Sequence, residues 1–137
     1  MSMWLYQLNQ KNHPPSAFRY DIWENQRWHW DYGMKRGAKQ IEAGDTVVFF
    51  YSVSAGDDPG IYAWAVIERC SPNDNTIYFI PTAPSNHLKM DPWWDDEAEQ
   101  LVNKIRGKVK QGTLFPVAED IIPRIRRGIT KWLCPKQ

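Results

Sequence analysis

Two apolar runs joined by a polar connection constrain the fold of this chain more than any other feature. Residues 46–52 and 61–67 are rich in β-branched and aromatic side chains, a composition typical of strands. Alternation along the first run places apolar side chains on both faces, which predicts a central strand covered on both sides. The connection, residues 53–60, is too long for a two-residue hairpin turn. In the second run, alternation predicts one face with Ile61, Ala63, Ala65 and Ile67, and another with Tyr62, Trp64 and Val66.

Further extended segments and three helices are predicted from patterns elsewhere in the chain. The segments predicted to be extended are residues 3–8, 77–80, 87–94 (a short strand and then a loop) and 113–117, while 27–32 is extended or irregular. A short helix is predicted after Gly33, with its end at Gly44. We therefore expect a single α+β domain over residues 1–137, a small twisted barrel or sheet with helices packed on it.

The two longer predicted helices are amphipathic. One begins at Asp95, where acidic residues suit the positive end of the helix dipole, and ends at Gly112. Its apolar stripe consists of Ala98, Leu101, Val102, Ile105 and Val109. The other covers residues 119–132, with Pro123 in its first turn. It is expected to direct its isoleucines and Trp132 to the core and to present Arg124, Arg126, Arg127 and Lys131 to solvent or a partner.

Charge is distributed unevenly along the chain. Residues 1–103 carry 8 Lys and Arg against 14 Asp and Glu, whereas residues 104–137 carry 9 against 2. A basic C-terminal third suits a partner with a phosphate backbone, although a solvated basic helix face would give the same count.

Several classes of function lack support in the sequence. No apolar run is long enough to span a bilayer, and the first residues lack a signal-peptide pattern. Cys70 and Cys134 have no spacing partner, so we expect a reducing, cytoplasmic setting with neither a disulfide framework nor a metal site. Gly-rich phosphate loops, nucleophile elbows and paired histidines are missing as well, so no cofactor and no catalytic residue is predicted.

Aromatic residues in a polar neighbourhood point instead to binding. Of the 19 aromatic residues, Trp28 and Trp30 lie among charged and polar groups, as stacking surfaces do. A site that recognises a nucleobase needs flat apolar walls and a few fixed polar groups. The candidate walls are Trp28, Trp30, Tyr32, Tyr51 and Trp64, and the candidate edge contacts are Gln7, Asn9, Asp31 and Ser52. Phosphate contacts are predicted at the start of the short helix, from Lys35, Arg36 and Lys39.

These residues resemble a known family. Trp30-Asp31-Tyr32-Gly33, a short helix, the stretch from Gly44-Asp45 to Ser52, and Pro59-Gly60-Ile61 are similar to the EVE domain. That domain belongs to the PUA-like superfamily, which includes the YTH readers of methylated adenine in RNA. The resemblance covers most of the chain. Its most specific part is the pattern G-D-x-V-x-F-F-Y-S followed by P-G-I.

The resemblance implies a PUA-like small mixed β-barrel with packed helices and an aromatic pocket for a modified base in DNA or RNA, with methylation as the expected modification. Trp30 would be a stacking wall, Asp31 an edge contact or support, and Ser52 part of the pocket floor beside Tyr51. Gln7 and Asn9 would line the entrance.

The sequence departs from the family at three places. Tyr51 is followed directly by Ser52, where the family usually has an intervening histidine. Met34, Lys35 and Arg36 replace an arginine-asparagine pair, and residues 111–116 replace an Arg-Leu-Ser-x-Gln-Pro run.

Alternatives to base recognition stay open at the level of the sequence. Trp30 can instead plug the core while Asp31 caps the short helix. An RNA-cleaving enzyme of the related ASCH type would use Lys35, Arg36 or a carboxylate. A domain that binds another flat ligand in the same pocket is the third hypothesis. The oligomeric state is not predicted.

Overall fold

A computed structural model describes residues 2–8, 27–29, 35–36, 39–51, 59–71, 73, 76–80, 87–106 and 114–133, with backbone alone at 27–29, 35–36, 39–40, 87–92 and 132–133. The elements in these ranges are β1 (Met3–Leu8), β2 (Arg27–His29), β3 (Lys35–Arg36), β4 (Lys39–Gln40), β5 (Thr46–Tyr51), β6 (Gly60–Ser71), β7 (Thr76–Phe79), β8 (His87–Trp93), α1 (Asp96–Arg106), β9 (Leu114–Pro116) and α2 (Ile122–Leu133).

Seven of the described strands form one sheet. Its strand order is β2-β7-β6-β5-β1-β9, and β8 also pairs with β6. The β1–β5 pair is parallel, whereas the other pairs in this sheet are antiparallel. Together with two helices this confirms the α+β class. Within the described strands the sheet has two ends, β2 and β9, and no pairing closes it into the predicted barrel.

The central strand is β5, as its apolar run predicts. All of its side chains are buried, and it lies between β1 and β6. Burial on both faces favours such a continuous apolar run because each pleat then contacts a core. The predicted ends of β1 agree with the structure, and the second apolar run lies within the longer strand β6.

A β-bulge in β6 overturns the predicted assignment of its faces. Phe49 lies opposite Ala63, but the next residue, Phe50, lies opposite Ile61, so Tyr62 is the additional residue. As a result Tyr62 and Ala63 belong to one core, whereas Ile61 belongs to the other. Strict alternation was therefore the wrong prediction at Ile61 and Tyr62.

The two faces of the sheet bury different cores. The face that contacts α1 and α2, here called the helical face, buries Met3, Leu5, Val48, Phe50, Ile61, Trp93, Ala98, Leu101, Val102, Phe115, Val117, Ile121, Ile125 and Ile129. The opposite face, here called the aromatic face, buries Trp4, Tyr6, Leu8, Ile41, Val47, Phe49, Tyr51, Tyr62, Ala63, Ala65, Ile67, Ile77, Phe79 and Leu114. Among the described residues, no helical residue belongs to the aromatic face.

Both helices form where amphipathic spacing predicts them. The carboxylate of Asp95 caps α1 by accepting a hydrogen bond from the amide of Ala98 at 2.8 Å. Ala98, Leu101 and Val102 are buried, as the stripe predicts, while Val109 and Gly112 lie outside the described residues. In α2, Pro123 stands in the first turn and Ile125 and Ile129 are buried.

The short helix predicted between Gly33 and Gly44 is wrong. Lys35–Arg36 and Lys39–Gln40 form an antiparallel two-stranded ladder, β3–β4, which lies beside β9. Gly37 weakens any helix here, and an isolated helix of this length is marginal in water. The turn before β5 then requires Gly44, whose φ of 90° lies in the left-handed region that favours glycine.

Candidate nucleic-acid site at the ends of β1 and β5

Four strand ends meet at one edge of the sheet, here called the strand-end edge. Because β1 and β5 are parallel, their last residues, Leu8 and Tyr51, are register partners. Tyr51 also lies opposite Gly60, the first residue of β6, and Ile61 lies opposite Trp93, the last residue of β8. Loops that leave such an edge are where α/β proteins usually carry ligands.

Aromatic rings underlie this edge on the aromatic face. The rings of Tyr51 and Tyr62 meet edge to face, with centroids 5.0 Å apart. Tyr51 has no exposed surface and Tyr62 very little. Burial raises the pKa of Tyr51 well above its ordinary value, and the neighbouring Tyr62 raises the pKa further. Tyr51 therefore stays a neutral phenol and supports the edge from beneath, without offering a free ring surface in this structure.

Gln7 presents an unsatisfied acceptor near the same edge. It lies opposite Phe50 and alternates with Leu5 in β1, which assigns it to the helical face. Its Oε1 atom is buried and, among the described residues, has no hydrogen-bond partner. A buried acceptor without a partner costs free energy, so a donor from a ligand would gain a full hydrogen bond here. Tyr51 and Gln7 thus lie on opposite faces of the sheet, although the sequence suggests one pocket for both.

Most of the other predicted pocket residues lie outside the described residues. Trp30, Asp31, Ser52 and Asn9 lie outside the described residues, so their predicted roles stay predictions. The backbone of Trp28 pairs with Ile77, which in turn lies opposite Cys70. Cys70 is near the far end of β6, so the register carries Trp28 away from Gly60 along that strand.

The structural reason for the predicted phosphate contacts does not hold. Lys35, Arg36 and Lys39 were expected at the start of a helix, where backbone amides and the dipole favour anions. Their backbones form the β3–β4 ladder instead. Contact of these three cations with phosphate stays a prediction that now depends on charge alone.

The Gly44-Asp45 pair has a structural role that sequence reasoning missed. The Asp45 side chain is only 3% exposed. Its carboxylate accepts hydrogen bonds from the Ser2 amide at 2.8 Å, the Trp4 Nε1 at 3.0 Å and the Glu42 amide at 2.9 Å. These contacts tie the start of β1 to the start of β5. A lone carboxylate directly before a mostly apolar strand was the available signal, because such a charge is buried only when donors surround it.

Tryptophans on the helical face seal the core near the strand-end edge. Trp93 is buried, and its Nε1 donates to the Asp95 carboxylate at 3.1 Å. The half-buried Trp94 contacts Phe50, with ring centroids 5.7 Å apart. Trp64 is also half-buried, and the Arg126 guanidinium lies 5.8 Å from its ring centroid.

Two other kinds of site find no support in the described part of the chain. There, no three His, Cys, Asp or Glu side chains come together in a way that suits a metal ion. Neither described helix has the length and apolar character needed to cross a bilayer.

Three solved structures share the fold of this protein. The N-terminal domain of McrB from Thermococcus gammatolerans, solved bound to m5C DNA, is 11% identical, with a TM-score of 0.57 over 97% of this chain and 99% of that chain. A protein from Pseudomonas syringae is 15% identical, with a TM-score of 0.56 over 92% and 98%. A hypothetical protein from Leishmania major is 12% identical, with a TM-score of 0.57 over 96% and 97%.

Identities this low show the fold alone. No model of a protein family matches the sequence, and no curated protein matches it either.

Proposed function

We propose that this protein is a PUA-like module that binds nucleic acid and recognises a modified, methylated base in it. The observation that carries the proposal is the likeness to the McrB domain, which was solved on m5C DNA and matches 97% of this chain. That neighbour favours DNA as the polymer, whereas the EVE resemblance of residues 44–52 and 59–61 extends the proposal to RNA.

The strand-end edge is the proposed location of the base. A base pocket combines flat apolar walls with a few fixed polar groups. Tyr51 and Tyr62 provide an apolar support under this edge on the aromatic face, and Gln7 provides an acceptor without a described partner on the helical face. Asn9 and Ser52 follow the register partners Leu8 and Tyr51 in sequence. In this proposal Trp30 stacks on the base, and Asp31 supports it.

A comparison of matched oligonucleotides tests the proposal. Fluorescence anisotropy at one fixed salt concentration would measure the Kd of the protein for oligonucleotides of identical sequence with and without the methyl group. The panel comprises 5-methylcytosine DNA, single- and double-stranded, and N6-methyladenine RNA. We expect about a tenfold preference or more for the methylated form of one polymer, a difference of about 1.4 kcal/mol in binding free energy. Equal Kd values across all pairs would overturn the proposal.

Two tryptophan variants separate a pocket role from a core role. Trp30→Ala should abolish the preference for the methylated oligonucleotide because it removes the stacking wall. Trp94→Ala, which changes a half-buried tryptophan on the helical face, should retain that preference. Thermal unfolding of both variants provides the stability control. A Trp30→Ala protein with lowered Tm but an intact methyl preference would assign Trp30 to the core instead.

A further inference from the structure

The outward face of α2 is basic along its whole described length. Arg126, Arg127 and Lys131 are exposed, and Arg124 is partly buried. The helix, IPRIRRGITKWL, contains no acidic residue. Its other side is fixed to the helical face by the buried residues Ile125 and Ile129. Arg127 and Lys131 therefore face solvent on an element whose position is set by packing, whereas Arg126 extends from it toward the Trp64 ring.

The position of α2 relative to the strand-end edge follows from one contact. The backbone of Gly128 lies directly against the indole ring of Trp93. Trp93 lies opposite Ile61, and the neighbouring Gly60 lies opposite Tyr51. The middle of α2 is thus held on the helical face, behind the edge at which β1 and β5 end.

Arg126 is oriented toward the sheet by an aromatic ring. Its guanidinium lies near the ring of the half-buried Trp64, a cation–π contact at 5.8 Å. Arg127 and Lys131, one helical turn apart, extend the same positive surface outward.

We infer that this α2 surface, formed by Arg124, Arg126, Arg127 and Lys131, contacts the phosphate backbone of a nucleic acid whose base lies at the strand-end edge. The inference rests on the proposed function for its ligand. Charge complementarity indicates which kind of partner binds this surface. Four cations without an intervening carboxylate suit a polyanion, and arginine suits phosphate in particular. The surface would position the nucleic acid, while the edge would recognise the base.

The salt dependence of binding tests this inference. Each phosphate contact adds about 0.9 to the slope of log Kd against log salt for duplex DNA. Arg127→Gln should lower that slope by about 1, and Arg127→Gln with Lys131→Gln by about 2. At 0.1 M salt each removed contact should weaken binding up to about tenfold, equally for methylated and plain oligonucleotides.

Arg69→Gln is the matched control. It removes one exposed cation from the part of β6 that pairs with β7, where the guanidinium lies over the Tyr78 ring at 3.7 Å. We expect it to leave the slope unchanged. Thermal unfolding should show all three variants to be folded, because the changed side chains are exposed.

The two proposals fail on different measurements. If the α2 variants keep the slope and Kd of the unchanged protein, or if the protein binds no oligonucleotide, the inference about α2 is wrong. If the slopes fall as expected but methylated and plain oligonucleotides bind equally, the inference stands and base recognition is wrong.

Discussion

At the scale of single residues, Asp45 shows that a residue of a sequence motif can stabilise the fold without belonging to the candidate binding site. It belongs to the most specific part of the EVE-like pattern, yet its carboxylate is buried among three donors at the start of β1 and β5. The pattern therefore reports how two parallel strands are joined at their beginnings. The recognition chemistry would lie at the opposite ends of the same strands.

Asp45→Ala should destabilise the protein strongly. It would leave the buried Trp4 Nε1 and two backbone amides without their acceptor, and each such loss costs about 1–3 kcal/mol. We expect the free energy of unfolding to fall by about 3 kcal/mol in urea titrations, and Asp45→Asn to lose less because one oxygen remains. Asp120→Ala, at an exposed carboxylate, should change stability by less than about 0.5 kcal/mol. Similar losses in the two alanine variants would contradict this role.

At the scale of elements, the sequence predicts best where one pattern decides the structure. The apolar run of β1 gives its observed ends because both faces of this strand are buried. The start of α1 is predictable because Asp95 is a local cap with a local partner. The bulge at Tyr62 was not predictable, because pairing with β5 sets it and alternation within β6 gives no sign of it.

The failed prediction at residues 34–43 has a similar cause. Local helix propensity there is weakened by Gly37, and strand pairing between 35–36 and 39–40 decides the structure. The predicted place of Lys35, Arg36 and Lys39 at the start of a helix was wrong for the same reason. The basic face of α2, by contrast, follows directly from a clear helical periodicity, and the structure adds only where that face lies.

The contact between α2 and β8 depends on a glycine inside a helix. A Cβ atom at Gly128 would overlap the ring carbons of Trp93. Gly→Ala in a helix interior normally stabilises by about 1 kcal/mol, so the sign of the effect is informative. We expect Gly128→Ala to destabilise by about 1–3 kcal/mol, since overpacking forces α2 off the sheet. Urea or thermal unfolding measures it.

Two further variants isolate the cause of that loss. Thr130→Ala, at an exposed position in the same helix, should be neutral or slightly stabilising. Combining Gly128→Ala with Trp93→Leu should cost less than the sum of the single changes, because the smaller side chain removes the overlap. A Gly128→Ala protein with a higher Tm than the unchanged protein would show that α2 does not sit on Trp93 this closely.

At the scale of the whole molecule, the sheet separates two kinds of chemistry. The helical face joins the sheet to a basic helix, whereas the aromatic face contains six of the nine buried aromatic rings among the described residues, together with neutral titratable groups. Burial raises the pKa of Tyr51, and Tyr62 adds to the effect. Burial also raises the pKa of the Cys70 thiol, with smaller contributions from Asp45 and Glu42. The folded protein therefore holds both protons at pH values where the unfolded chain releases them.

Global stability should consequently fall in alkaline solution. Below about pH 8 both groups are protonated in the folded and unfolded states, so their contribution to the free energy of unfolding is fully present. Above about pH 9 the unfolded chain first loses the thiol proton and then, above about pH 10, the phenol proton. For Tyr51 alone the slope approaches about 1.4 kcal/mol per pH unit. Urea titrations at pH 7, 9 and 10.5 measure the loss.

Tyr51→Phe isolates the tyrosine contribution. Phenylalanine keeps the edge-to-face contact with Tyr62 but has no proton to lose, so the loss of stability above about pH 10 should be smaller than in the unchanged protein. Cys70→Ala should reduce the loss between about pH 8.5 and 10 in the same way. Parallel curves for Tyr51→Phe and the unchanged protein would mean that the phenol is solvated in solution. The aromatic face would then be open at the strand-end edge, where the proposed base pocket lies.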